Sequence, residues 1–136
     1  MTVFLCIDDR GGMIFNNRRQ SRDRALIDDV INSSDGGILY VSDFSEDLFS
    51  TSGASVICVP DPLYAASDKA FVFLEVPPIL PYANKIDRLV IYKWNRSYPF
   101  DRALDVSPEE IGLTLSEVGE FVGTSHEKIT KEVYTR

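Results

Sequence analysis

Thr2-Val-Phe-Leu-Cys-Ile7, followed at once by Asp8-Asp-Arg-Gly-Gly12, is the stretch on which the fold turns. The apolar run is too short for a helix and has no polar face. It reads as a strand buried on both sides, ended by a turn. Such a strand belongs inside a sheet that is covered on both faces. Outward from it, Ser21 to Asn32 has helical spacing with Ser21 as the N-cap, and Ser33-Ser-Asp-Gly-Gly37 supplies the stop. Further short apolar runs follow at Ile38–Val41, Ser55–Val59, Phe71–Leu74 and Leu89–Tyr92. Helix-capable pieces lie between them at Ser45–Phe49, Pro62–Ala66 and Pro78–Ala83. Buried strands alternating with helical connectors predict a parallel sheet, because parallel strands need crossovers. The ending differs. Ile111–Val118 and Lys128–Tyr134 mix apolar and polar residues with no helix between them, so they predict an antiparallel hairpin added to the parallel core. The expected fold is α/β: a three-layer, mostly parallel mixed sheet with helices on both faces and a C-terminal antiparallel hairpin.

The 136 residues suit one domain spanning 1–136, with no repeat and no interdomain linker. Fourteen Lys and Arg against twenty-one Asp and Glu give a formal charge of −7, which argues against charge-driven binding to DNA or anionic membranes. No apolar stretch approaches the ~20 residues of a membrane span. Cys6 and Cys58 both sit in apolar runs, as reduced thiols do, and no basic leader precedes an apolar run. A cytoplasmic protein is the expectation.

The segment from Asn16 to Arg24 holds Arg18, Arg19, Arg22 and Arg24, four of the chain's nine arginines. On an acidic chain this is a local positive patch at a helix N-terminus, suited to phosphate or carboxylate groups. The alternative is a solvated run paired with Asp28, Asp29 and Asp35, which stabilises little. On a helix over Ser21–Asn32, Leu26, Ile27, Val30 and Ile31 share one face, and Asp23 projects from that same face. A lone acid at the open end of a buried face can serve as a general acid or ligand anchor. It can equally cap the helix.

Many chemistries lack their residues. The single histidine, His126, leaves no set of imidazoles for a multi-histidine zinc site, so no metal is expected. The chain has no Cys-x-x-Cys, no Walker or dinucleotide glycine loop, and no Gly-x-Ser-x-Gly. His126 falls in a polar Gly-Thr-Ser-His turn and reads as a surface or capping residue, and Trp94 as packing at the core edge.

From Phe71 to Asp101 the succession is Phe71-Val-Phe-Leu74, Pro81-Tyr82, Ile86-Asp-Arg-Leu-Val-Ile-Tyr92 and Tyr98-Pro-Phe-Asp101. In this order, and along most of its length, the chain resembles the dihydrofolate reductase fold family in shortened form. It is also similar to short bacterial proteins, some of which carry a zinc-ribonuclease label that one histidine does not support. The resemblance implies that Leu5-Cys6-Ile7 is the strand lining the pterin pocket and that Met13-Ile14-Phe15 lies in the mobile active-site loop. It places Asp23 where the family's acid binds and helps protonate the pterin. The closing Ser116-Glu117 and Glu132–Arg136 match the family's final hairpin.

The departures concern the cofactor. Where the family ends a strand in Gly-Gly against the pyrophosphate, this chain has Glu75-Val-Pro-Pro78. Glutamate repels a diphosphate, and two prolines remove N–H donors. Ser42-Asp-Phe-Ser-Glu-Asp47 is acidic where the family has a phosphate-binding segment rich in Thr, and Tyr92 stands where the family has a threonine. Phosphate contacts are worth ~1.5–3 kcal/mol each, so losing several together disfavours NADPH, and no cofactor is expected. The preferred reading is a protein without NADPH-dependent reductase activity, binding a small anionic or heteroaromatic ligand beside Leu5, Cys6, Phe15, Asp23, Ile27 and Tyr92. Arg18, Arg19 and Arg22 would hold the ligand's acidic end, with Asp23 the candidate catalytic residue. The alternatives are a protein or RNA interaction module using the Arg18–Arg24 patch, and an NADPH-dependent reductase with an atypical cofactor site. An edge strand offers a route to a homodimer.

Overall fold

The computed structural model describes residues 1–50 and 53–136. Along the chain run β1 (Thr2–Ile7), β2 (Gly12–Phe15), β3 (Arg18–Arg19), α1 (Arg24–Ser33), β4 (Leu39–Val41), β5 (Val56–Cys58), α2 (Pro62–Ala65), β6 (Phe71–Phe73), β7 (Arg88–Lys93), β8 (Arg102–Ala103), β9 (Thr114–Phe121) and β10 (Ile129–Thr135). Short 3₁₀ segments lie at Glu46–Leu48, Leu80–Lys85 and Glu109–Ile111.

The main sheet has the order β5-β4-β6-β1-β7-β10-β9. Strands β5, β4, β6, β1 and β7 are parallel, and β10 and β9 close the far edge as an antiparallel hairpin. This is the mixed sheet expected from the apolar runs. Strand β1 lies centrally between β6 and β7, which is why TVFLCI tolerates no polar face.

Alternation along β1 builds two cores. Val3 and Leu5 join Val72, Leu89 and Ile91 on one face, beneath Leu63 of α2 and Ile111. Phe4 joins Val41, Phe73, Val90 and Tyr92 on the other, beneath Leu26, Ile27 and Val30 of α1. Burying each of those three α1 side chains contributes ~1.5–3 kcal/mol, which holds the helix against the sheet.

Three differences from the sequence reading have local causes. The helix begins at Arg24, not Ser21, because Asp23 is its cap: its backbone is extended (φ −153°, ψ 125°) and its carboxylate accepts from Ala25 and Leu26 N–H. The first strand of the hairpin starts at Thr114, since Ile111 ends a 3₁₀ segment and Gly112 takes a left-handed turn at φ +84°. Gly12–Phe15 is strand rather than loop. Asn16 and Asn17 both adopt positive φ (50° and 58°), forming a tight hairpin that pairs Phe15 with Arg18. Strands β3, β2 and β8 make a small second sheet. Among the described residues no helix is long and apolar enough to cross a membrane.

Candidate functional site

Cys6, Phe73, Glu75 and Trp94, at or just beyond the C-terminal ends of β1, β6 and β7, line a narrow cleft closed on its other side by residues 19–23, Leu26, Ile27 and Leu48. Open α/β sheets place ligands at such strand ends. Here the enclosed space is about 20 Å³, room for about one water molecule. The cleft opens towards a wider groove of about 1080 Å³ lined by Arg22, Arg24, Ile27, Asp28, Asp47, Leu48, Thr124 and Ser125.

Asp23 stands between the two. It is 3% exposed and accepts six hydrogen bonds. Oδ1 takes Ala25 N–H (2.9 Å), Leu26 N–H (3.4 Å), Thr124 N–H (3.0 Å) and the Thr124 hydroxyl (2.9 Å). Oδ2 takes Ser125 N–H (2.8 Å) and His126 Nδ1 (3.0 Å). Burial alone would raise its pKa. The bonds from His126, Ser125 and Thr124 outweigh burial and hold the carboxyl well below the usual carboxylate range. A carboxylate so engaged stays ionised, so it orients its neighbours and does not deliver a proton at neutral pH. The loop between β9 and β10 reaches it because residue 123 is glycine; a Cβ there would collide with the carboxylate.

His126, read from sequence as a surface or capping residue, is only 6% exposed. An ionised carboxylate can only accept, so Nδ1 carries a hydrogen. Nε2 faces the hydroxyls of Tyr98 (2.9 Å) and Ser21 (3.2 Å). The ring stacks on Trp94 with centroids 4.6 Å apart. Tyr98 is itself fixed through Asp8, whose carboxylate accepts the Tyr98 N–H at 3.0 Å and those of Arg10 and Gly12. Burial opposes ionisation of Asp8, yet these backbone bonds keep its pKa lowered. Sequence reasoning missed His126, Tyr98 and Trp94 as members of one cluster. Trp94 packs at the core edge as its sequence suggests, whereas the polar, turn-like settings of Tyr98 and His126 gave no local sign that they would join it.

The predicted site residues divide. Cys6, Arg19, Arg22, Asp23 and Ile27 line the cleft together. Leu5 does not, because neighbouring strand residues face opposite sides and Leu5 lies in the core away from α1. Tyr92 is fully buried under α1, its hydroxyl donating to Asp29 at 2.6 Å. Phe15 (46% exposed) and Arg18 line a separate surface groove with Asn16, Tyr98 and Pro99. The arginine patch is therefore divided too. Arg18 and Arg24 have no ion-pair partner among the described residues. Arg19, in contrast, turns inward. The Cys6 thiol is pushed up by burial, then by Glu75 and Asp23, so it stays protonated and unreactive.

The end of β6 does not fit a dinucleotide diphosphate. Arg19 makes a two-pronged ion pair with Glu75 (Nε to Oε1 2.9 Å, Nη2 to Oε2 3.2 Å) and also binds Asp47 and the Phe44 carbonyl. Ser45 donates to Glu75 at 2.6 Å. The sequence reading took Glu75 as a repelling charge. In the fold it is neutralised, and the ion pair itself fills the approach. Pro77 and Pro78 offer no N–H, and the next two N–H groups, of Ile79 and Leu80, are already bonded to Asp105 at 2.8 and 2.9 Å. Across residues 77–80, then, no backbone N–H is free for a phosphate. Among the described residues no group of three His, Cys, Asp or Glu could hold a metal ion.

No protein-family model matches the sequence, and no curated protein does. Among solved structures the chain is similar to a dihydrofolate reductase from Enterococcus faecalis complexed with NADP(H) and RAB-propyl. The match has a TM-score of 0.63 at 10% identity and covers 99% of this chain and 95% of that one. The fold is dihydrofolate reductase-like.

Proposed function

We propose that this protein uses a dihydrofolate reductase-like fold to bind a small heteroaromatic ligand bearing an acidic group, in the groove at the N-terminal end of α1, and does not reduce substrates with NADPH. The observation that carries the reading is the lining of that groove: Arg22 and Arg24 stand with Asp28, Asp47 and the Thr124–Ser125 turn around the apolar Ile27 and Leu48. The guanidiniums suit the acidic group, the carboxylates suit ring amino groups, and the aliphatic pair suits the ring's face. Arg22 is 63% exposed on its side chain and 3.9 Å from Asp47, a loose pair that a ligand's acid can displace at little cost. The filled end of β6 supports the second half of the proposal.

The test is a thermal-shift series with pterin-6-carboxylate, adenosine monophosphate, inorganic pyrophosphate and NADPH. A heteroaromatic acid is expected to raise the melting temperature, and Arg22→Ala with Arg24→Ala to remove the effect. No response to either heteroaromatic acid at millimolar concentration would end this reading. An NADPH response of equal size would favour the reductase alternative.

A further inference from the structure

Ser21, Arg22 and Asp23 lead into α1 outside any helix or strand, and Asp23 itself has an extended backbone. Ser21 and Asp23 meet one imidazole from its two ends. Asp23 Oδ2 is 3.0 Å from Nδ1 of His126, and Ser21 Oγ is 3.2 Å from Nε2. Asp23 fixes the tautomer, because its ionised oxygen takes the Nδ1 hydrogen, so that in the neutral ring the Nε2 lone pair is the one directed at the hydroxyls. Trp94 clamps the ring plane. Asp23 and His126 are buried, whereas Ser21 is only partly so and lines the cleft. A hydroxyl at the wet end, a base behind it and a buried carboxylate behind the base form the arrangement that activates a serine.

We propose that Ser21 is a nucleophile, with His126 as its base and Asp23 as the positioning carboxylate, and that it takes an acyl group from small carboxylic esters. In the first step the Ser21 oxygen bonds to the ester carbonyl carbon while its proton passes to His126 Nε2. The carbon–alkoxide bond then breaks and the alcohol leaves with that proton. Water attacks the acyl-serine, again giving its proton to His126, and the proton returns to Ser21 as the carboxylic acid departs. Ester and water become acid and alcohol, with no oxidant or reductant needed.

Tyr98 restrains the reaction. Its hydroxyl, 2.9 Å from the same nitrogen, competes with Ser21 for one lone pair. Removing it frees the base for the serine. The chemistry at Ser21 does not depend on what occupies the groove, so failure here leaves the ligand proposal standing, and the reverse.

The experiment uses methanesulfonyl fluoride, a small serine-directed reagent that tests whether the partly exposed Ser21 is reachable and activated. Ser21 attacks sulfur and fluoride leaves. Folded protein, protein in denaturing urea, and the Ser21→Ala and Tyr98→Phe variants are incubated with the reagent and read by intact mass and peptide mapping. The expected result is one adduct, on Ser21, forming at least tenfold faster in folded protein than in urea. It is absent in Ser21→Ala and faster still in Tyr98→Phe. Parallel p-nitrophenyl acetate hydrolysis should follow the same order. No Ser21 adduct in either the native protein or Tyr98→Phe would overturn the proposal, as would equal labelling in urea. Because the native chain is itself the main sample, a variant that fails to fold does not blunt the test.

Discussion

Replacing Asp23 by Asn keeps the shape of the side chain and tests what its charge does. Oδ1 remains an acceptor for the helix cap and for Thr124. Oδ2 becomes an NH₂ group facing two donors, Ser125 N–H and His126 Nδ1. The histidine can respond by moving its hydrogen to Nε2, since Tyr98 and Ser21 oxygens there can accept. The Ser125 amide cannot respond, and one buried unsatisfied donor costs ~1–3 kcal/mol. Loss of the negative charge at the helix N-terminus adds ~0.5–1 kcal/mol. The expected loss is therefore about 2–4 kcal/mol. With a urea dependence of ~2 kcal/mol per molar, the middle of the usual range, the midpoint should fall by ~1–2 M. The single tryptophan, Trp94, reports unfolding by fluorescence. The pH dependence adds a second check. A carboxyl whose folded pKa is depressed contributes stability that is present above its unfolded value, ~3.9, and is lost as pH falls through the lower folded one. Asparagine does not titrate, and Asp8 is common to both proteins. The gap between native and variant should thus hold from pH 7 to ~5 and narrow below ~4. A difference under ~0.5 kcal/mol at neutral pH, or one that fails to narrow in acid, would refute the reasoning.

Two further substitutions follow from the same structure. Arg19→Met leaves Glu75, whose side chain is 10% exposed, with Ser45 as its one side-chain partner among the described residues and should cost about 2–4 kcal/mol by urea unfolding; adding Glu75→Met should restore at least half, and no recovery would count against a closed ion pair. Tyr92→Phe removes a 2.6 Å bond to Asp29, which still pairs with Lys131 at 2.8 Å, so calorimetry should show a loss of about 1 kcal/mol, or ~3–4 °C. A loss of several kcal/mol would place more of α1's anchoring in that hydroxyl than the geometry allows.

The sheet was legible because its central strands carry their signal locally: TVFLCI, Phe71–Leu74 and Leu89–Tyr92 are apolar without alternation, as strands covered on both faces must be. Asp23 was legible both as a special acid and as a possible cap, but not as the cap in place of Ser21. Ser21 and Asp23 are both good cap residues, and the choice between them is made by Thr124, Ser125 and His126, a hundred residues away. The inward role of His126 was hidden for the same reason, since its partners come from two distant segments, 21–23 and 94–98, and its own neighbours are polar. The pairing of Leu5 with Cys6 in one pocket could have been rejected from the period of a strand alone. The hairpin before α1 was also within reach, because Asn16-Asn17 between Phe15 and Arg18 is a turn signal. What no local pattern showed is that Glu75 would meet Arg19, so an acid read as a repelling charge became half of a plug.

The central claim, part of the proposed function, is that the end of β6 does not accept a dinucleotide. Amide-resolved NMR titration with NADPH measures this directly, residue by residue. The account predicts that the backbone signals of Leu74, Glu75, Val76, Ile79 and Leu80 stay in place at millimolar NADPH. Saturable shifts confined to those residues would contradict it.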